Sequence, residues 1–188
     1  MSLFRTTATE AVNEQELPKV HLGVGEVYIA ERPTLAWTVL GSCVAVILYV
    51  PSIQVSAICH AQLPAPNITG STCRESCPNP CFRGAQTSSN LKFVTCCVDY
   101  MASRLMDMGV ATRSIACAVI GGANMFPVVG SSGSVGDKNV EVARQVLAQH
   151  SLSLRYEDVG GTRGRTLSYH TGNGRLRLET PRDRKATQ

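Results

Sequence analysis

Apolar and polar positions along the chain fall into short blocks, most of them of a length that suits a single structural element. Val20 to Ala30 alternates loosely around Gly23 and Gly25 and stops before Pro33, which predicts a first strand with a bulge or bend. Thr38 to Val50 is dense in Val, Ile and Leu around Gly41, the pattern of one buried strand. Pro51-Ser52 predicts a turn, and Val55 to Leu63 a partner strand ending at Pro64. Asn90 can cap a helix whose apolar face carries Phe93, Cys97, Tyr100, Met101, Leu105 and Met108, and Gly109 ends it. Ser114 to Ile120 reads as a second buried strand. After the Gly/Ser loop Ser131 to Gly136, Asp137 or Asn139 opens a helix buried along Val140, Ala143, Val146 and Leu147. Leu152 to Val159, Arg165 to His170 and Arg175 to Glu179 read as strands, turning at Gly160-Gly161 and Gly172-Asn173-Gly174. Without strict βαβ alternation, the predicted class is α+β, a single domain with a mixed sheet or β-sandwich flanked by helices.

The same pattern divides the chain. Residues 1–18 are expected to be a polar N-terminal tail, 19–179 the folded domain, and 180–188 a charged C-terminal tail. Within the domain, 65–90 is rich in Pro, Ser and Thr and reads as an insertion or a functional loop. With 44% hydrophobic and 17% charged residues, the 188-residue chain is neither disordered nor fibrous by composition. Its longest apolar run, Cys43 to Val50, is far shorter than the roughly 20 residues of a membrane helix. Met1 to Pro18 carries Glu10, Glu14 and Glu16 and no apolar stretch, so no secretory signal is read there and the cytoplasm is expected. In that reducing setting the eight cysteines are expected as thiols. A net charge of +4, few aromatics and late-chain arginines on alternate positions (Arg175, Arg177) do not make a nucleic-acid footprint.

Candidate chemistry gathers at Leu40-Gly41-Ser42-Cys43 and Cys59-His60. A thiol hydrolase needs a cysteine within hydrogen-bond reach of an imidazole. A tight turn at Pro51-Ser52 would pair Val50 with Ile53 and set Cys43 directly opposite His60, close enough for a thiolate–imidazolium pair. Gly41 and Ser42 would let backbone amides approach a developing oxyanion, and so count as substrate-contacting positions. On residue type alone, inert core cysteines and a satisfied core histidine explain these positions better; the Gly-Ser-Cys turn and the pairing bring catalysis level with that reading.

The stretch Thr38-Val-Leu-Gly-Ser-Cys43-Val-Ala-Val, followed by His60 and Leu63-Pro64, resembles the CheD family of bacterial chemoreceptor glutamine deamidases. The resemblance continues through Ile120-Gly-Gly-Ala-Asn-Met-Phe126, Val135-Gly-Asp-Lys-Asn139, Asp158-Val-Gly-Gly161 and Gly164-Arg165. It implies that Cys43 attacks the carboxamide of a receptor glutamine, with His60 as general base and then acid, and with no metal or organic cofactor. It also implies two partners: the cytoplasmic helices of chemoreceptors as substrate, and a CheC-type phosphatase. The family's assisting threonine stands six residues before the cysteine, where this chain has Trp37; Thr38 follows it. Neighbours on a strand face opposite ways, so Thr38 is expected to serve only if the strand is bulged. A catalytically impaired adaptor that keeps the partner surface is the alternative reading.

Gly121, Gly122 and Asn124 either line the cleft where a glutamine enters or serve a turn and close strand packing. Cys73, Cys77 and Cys81 lie at steps of four, but Pro78 and Pro80 oppose a helix and a fourth zinc ligand is missing. His21, His150 and His170 are expected at the surface or in loops.

Overall fold

The computed structural model describes Phe4 and residues 16–66, 91–125 and 133–180. The Cys73, Cys77 and Cys81 cluster, nearly all of the insertion at 65–90, and 181–188 of the charged tail lie outside the described residues.

Among the described residues, nine strands form two sheets. β1 (Lys19–His21), β3 (Leu35–Leu40), β8 (Arg165–His170) and β9 (Leu176–Glu179) make a four-stranded sheet in the order β1-β3-β8-β9. β2 (Val27–Ala30), β4 (Val44–Val50), β5 (Val55–Ala61), β6 (Ala116–Gly121) and β7 (Ser153–Val159) make a five-stranded sheet in the order β2-β5-β4-β6-β7. Two parallel pairs, β1 with β3 and β6 with β7, make both sheets mixed. Helices α1 (Val94–Asp107) and α2 (Val135–Gln149) cover the outer face of the five-stranded sheet.

Residue alternation along the central strands explains the layering. On β4, Val44, Val46, Leu48 and Val50 pack under the helices, against Val94, Met101 and Leu105 of α1 and Val140, Ala143 and Leu147 of α2. The intervening Ala45, Ile47 and Tyr49 face the other sheet and pack with Leu40, Ala36, Leu167 and Tyr169. Both faces of β4 and β5 are therefore apolar, and all seven residues of each strand are buried. The result is α+β, three layers deep, as the patterning predicts.

Several expectations are corrected. The apolar stretch Thr38 to Val50 is two strands in different sheets, because the chain leaves β3 at Leu40, turns through Gly41-Ser42-Cys43 and enters β4 at Val44. Val20 to Ala30 likewise splits, with a turn between Gly23 and Glu26 carrying the chain from one sheet to the other. The cap of α1 is Phe93, not Asn90, and Met108 lies past the helix end, exposed, rather than in its core stripe. Ser134, not Asp137 or Asn139, caps α2: its hydroxyl accepts the Asp137 N–H while the Asp137 carboxylate accepts the Ser134 N–H. Phe4, within the expected polar tail, is 1% exposed between Tyr49 and Tyr156. His150 pairs with Asp99 at 2.6 Å, joining α2 to α1. His170 is buried, its Nδ1 accepting the N–H of Gly172.

Candidate active site

The turn between β4 and β5 spans four residues, with Val50 opposite Val55, so the pairing differs by two from the tight-turn expectation. Ala45 stands opposite His60, and Val44 opposite Ala61. Extending this ladder by one residue puts Cys43 diagonal to His60 instead of directly across. A shift of two preserves the face, whereas a shift of one would have reversed it. Cys43 packs against the cluster between the sheets, and His60 reaches into the same layer.

His60 is 4% exposed and is held from the four-stranded sheet. Its Nδ1 lies 2.8 Å from Thr38 Oγ1 and 3.3 Å from the Leu22 carbonyl oxygen. Thr38 Oγ1 donates its single proton to that same carbonyl, at 2.7 Å. A carbonyl only accepts, and the threonine proton is already committed. Both partners of Nδ1 are thus acceptors, and the ring carries its proton on Nδ1. Nε2 keeps its lone pair; it is buried and has no hydrogen-bond partner among the described residues.

Thr38 reaches His60 without a bulge. β3 pairs with β8 in unbroken register from Leu35 opposite His170 to Leu40 opposite Arg165. Ala36, Thr38 and Leu40 face inward along it, while Trp37 and Val39 face outward. Trp37 packs there against His21, the ring centroids 4.3 Å apart and the planes tilted by 49°. The expectation that Thr38 needs a bulge is therefore corrected: the crossing at Gly41 to Cys43 lets an inward threonine and the cysteine share one layer.

Burial pushes the Cys43 thiol up from its ordinary value, opposed by its own backbone N–H. Burial also lowers His60, helped by His21 and opposed by the Leu22 carbonyl and Glu26. The two shifts favour the neutral thiol and the neutral imidazole, not the expected thiolate–imidazolium pair, and Nε2 makes no hydrogen bond to the thiol.

Gly121 and Gly122 carry β6 tightly past the cysteine. The Gly122 N–H donates to the Cys43 carbonyl at 2.8 Å, and the Ala123 N–H to the Gly41 carbonyl at 2.8 Å. Both glycines have positive φ, and a Cβ on Gly121 would sit 2.4 Å from the Cys43 oxygen. Gly122 backs onto Gly136 and Val140 of α2. The double glycine thus meets the backbone of the Gly41 to Cys43 turn. Asn124 is engaged with the start of α2, its Nδ2 3.1 Å from Asp137 and its Oδ1 accepting from Ser134. Gly41 lies under Met125, whose sulfur would be 2.6 Å from a Cβ there. Gly41, Ser42 and Cys43 are each half-buried.

Two contributors escaped sequence reasoning. The Leu22 carbonyl is backbone and leaves no residue-type signal. Asn139 is fully buried, its Nδ2 donating to the Ser42 carbonyl and to the Gln62 carbonyl at 2.9 Å each. Its signal was an amide one turn before Ala143, on the apolar stripe of α2.

Among the described residues no group of three His, Cys, Asp or Glu side chains could hold a metal ion. No disulfide joins Cys43, Cys59, Cys96, Cys97 or Cys117. No helix among the described residues is long and apolar enough to cross a membrane. A cavity of about 420 Å³ lies by the Gly160 to Arg163 loop, which Arg165 braces through Asp158 and the Gly160 carbonyl; neither Cys43 nor His60 lines it.

A family model described as CheD chemotactic sensory transduction matches residues 78–180. The chain is 35% identical over 164 residues to a probable chemoreceptor glutamine deamidase CheD 2 of Geobacter sulfurreducens, covering 87% of this chain and 91% of that one. A probable chemoreceptor glutamine deamidase CheD of Symbiobacterium thermophilum is 32% identical, covering 85% and 90%. One of Archaeoglobus fulgidus is 27% identical, covering 87% and 94%. Among solved structures, a hypothetical protein YfiH of Bacillus licheniformis aligns at a TM-score of 0.36 with 16% identity, over 70% of this chain and 49% of that one. By the match to the family model and the span of these relatives, the chain belongs to the CheD family.

Proposed function

We propose that this protein is a chemoreceptor glutamine deamidase that uses Cys43 as nucleophile and His60 as proton carrier, with Thr38 as the third member. The reading is carried by one observation: His60 Nδ1 is bonded to acceptors only, so its buried Nε2 is an unprotonated base in the layer that holds the thiol. The family membership and the names of the relatives supply the substrate class.

The reaction follows from that arrangement. Nε2 takes the thiol proton as Sγ bonds to the carboxamide carbon of a glutamine, and the carbonyl oxygen becomes an oxyanion. Backbone amides of the Gly41 to Cys43 turn stabilise that charge. The imidazolium then protonates the departing nitrogen, the C–N bond breaks, and ammonia leaves a thioester. Water, deprotonated by Nε2, attacks the thioester, releasing glutamate and regenerating the thiol. One water is consumed and one ammonia released for each glutamine. Every proton passes through one nitrogen, and the balance needs no oxidant or reductant.

The reading extends to the domain 19–179 as the deamidase unit, to a CheC-type phosphatase as second partner, and to the cytoplasm, where the receptor helices are reached. With Trp37 turned to the outer face, the sequence departure that motivated a catalytically impaired adaptor loses its force. The test is ammonia release from a receptor cytoplasmic fragment by the wild type and by Cys43→Ala and Cys59→Ala. Cys43→Ala is expected to lose about 10³-fold or more, and Cys59→Ala, on the helix-facing side of β5, to retain turnover. Equal release by wild type and Cys43→Ala overturns the proposal.

A further inference from the structure

We infer that Asn139 is a positioning residue for the nucleophile turn, aiming the Cys43 backbone N–H at the oxyanion formed during deamidation. The inference rests on the deamidase reading above and deepens it at the same site.

Three observations carry it. First, Asn139 is 0% exposed, an amide on a helix stripe otherwise made of Gly136, Val140, Ala143, Val146 and Leu147. Second, both protons of its Nδ2 are committed, one to the Ser42 carbonyl and one to the Gln62 carbonyl, at 2.9 Å each. These acceptors flank the catalytic pair, one residue before Cys43 and two after His60. With two carbonyls at the nitrogen, the amide orientation is fixed, since the reverse would set oxygen against oxygen. Third, the remaining Oδ1 is buried and unpartnered among the described residues. A buried amide left half-satisfied costs stability, so an apolar side chain would serve the core of α2 better. The asparagine therefore suits a task other than packing.

Geometry supplies that task. The Ser42 carbonyl and the Cys43 N–H belong to one planar peptide unit and, across a trans bond, point in opposite directions. Holding the carbonyl toward Asn139 therefore aims the Cys43 N–H away from it. That N–H already touches its own thiol, which is why it lowers the Cys43 pKa against the effect of burial. It is thus a backbone donor already beside the sulfur where the tetrahedral carbon forms. The bond to Gln62 ties the same clamp to the end of β5, so the turn and the histidine strand are held at a fixed spacing. The base of the clamp is rigid too: α2 begins at the Ser134–Asp137 box and backs onto Gly122.

The test compares Asn139→Asp, which keeps the shape but replaces both donors with acceptors, with Asn139→Ala, which removes the amide. Two rates are measured below each variant's melting midpoint: deamidation of a receptor fragment, and alkylation of Cys43 by iodoacetamide across pH. Alkylation forms no oxyanion, so it reports on the thiol and the imidazole alone. The expected result is a fall in kcat of about 10²-fold with KM within about threefold, since one aligned donor is worth about that much. The alkylation profile should stay that of wild type. Deamidation within about threefold of wild type in a folded variant overturns the inference, as does a parallel loss of both rates, which signals collapse of the site. Failure of the deamidase reading looks different: Cys43→Ala would then release ammonia as fast as wild type, whatever happens at Asn139.

Discussion

Thr38 and His60 meet across the two sheets, Oγ1 to Nδ1 at 2.8 Å, while Trp37, one residue earlier, packs against His21 at the outer face. The pair separates the positioning of the imidazole from the indole beside it. Thr38→Val removes the nearer of the two acceptors on Nδ1 and is expected to lower kcat about 10²-fold. Thr38→Ser retains the hydroxyl and most of the rate. Trp37→Ala is expected to leave kcat within about twofold, because no part of the ring faces the layer holding His60. Steady-state kinetics on the three variants checks this; a loss in Trp37→Ala equal to that in Thr38→Val contradicts it.

The direction of the His60 shift sets the acid limb of activity. Burial holds the imidazole below 6.5, so Nε2 remains a base at pH values where an exposed histidine is half protonated. Deamidation is expected to persist below pH 6.5 and to fall only as the lowered value is crossed. A pH profile of kcat whose acid limb lies above 6.5 contradicts the arrangement.

The same shift has a thermodynamic sign. The unfolded chain takes up a proton on His60 near 6.5, while the folded protein resists until lower pH. The contribution to stability is therefore whole above 6.5 and is lost as pH falls through 6.5 toward the folded value. Melting temperatures at about pH 7.5 and about pH 5.5 are expected to drop further in wild type than in His60→Gln. An equal drop in both proteins removes His60 as the source.

Gly122 is the tightest junction between β6 and α2. At φ +67° an added Cβ would meet Val140 at 2.4 Å and the Gly136 carbonyl at 2.9 Å. Gly122→Ala is expected to cost about 3 kcal/mol, from the left-handed backbone and the overpacking together. Chemical denaturation measures it, and a cost below about 1 kcal/mol means that α2 slides away freely.

Ser134→Ala removes the cap of α2 and the bond to Asn124 together. The expected loss is about 1 kcal/mol. An unchanged denaturation midpoint would show that water or the neighbouring loop takes over the cap.

Much of this was legible from residue types. The 3.6-residue stripe of α2, the continuous apolar runs of β4 and β5, and the Gly-Ser-Cys turn each point to one structure because their periods admit few others. What escaped was non-local. An apolar run does not reveal that its two halves lie in different sheets, since both strands are buried and Gly41 is compatible with a bend or a crossing. The four-residue turn after Val50 shifted Cys43 off His60 by two positions, a matter of turn length invisible to alternation. Carbonyl partners, such as Leu22 for His60 and Ser42 for Asn139, are read only from coordinates because every residue carries one.

The crossing of the backbone from β3 to β4 joins the two sheets by a seam, and the three groups proposed for catalysis straddle it. Thiol and imidazole ride on one slab and the hydroxyl that fixes the imidazole on the other. Prising the slabs apart by the length of one hydrogen bond would release the ring to spin while every strand stayed paired. On the proposed assignment, catalysis would therefore report on how well the two halves are seated, and would fade before any secondary structure melts.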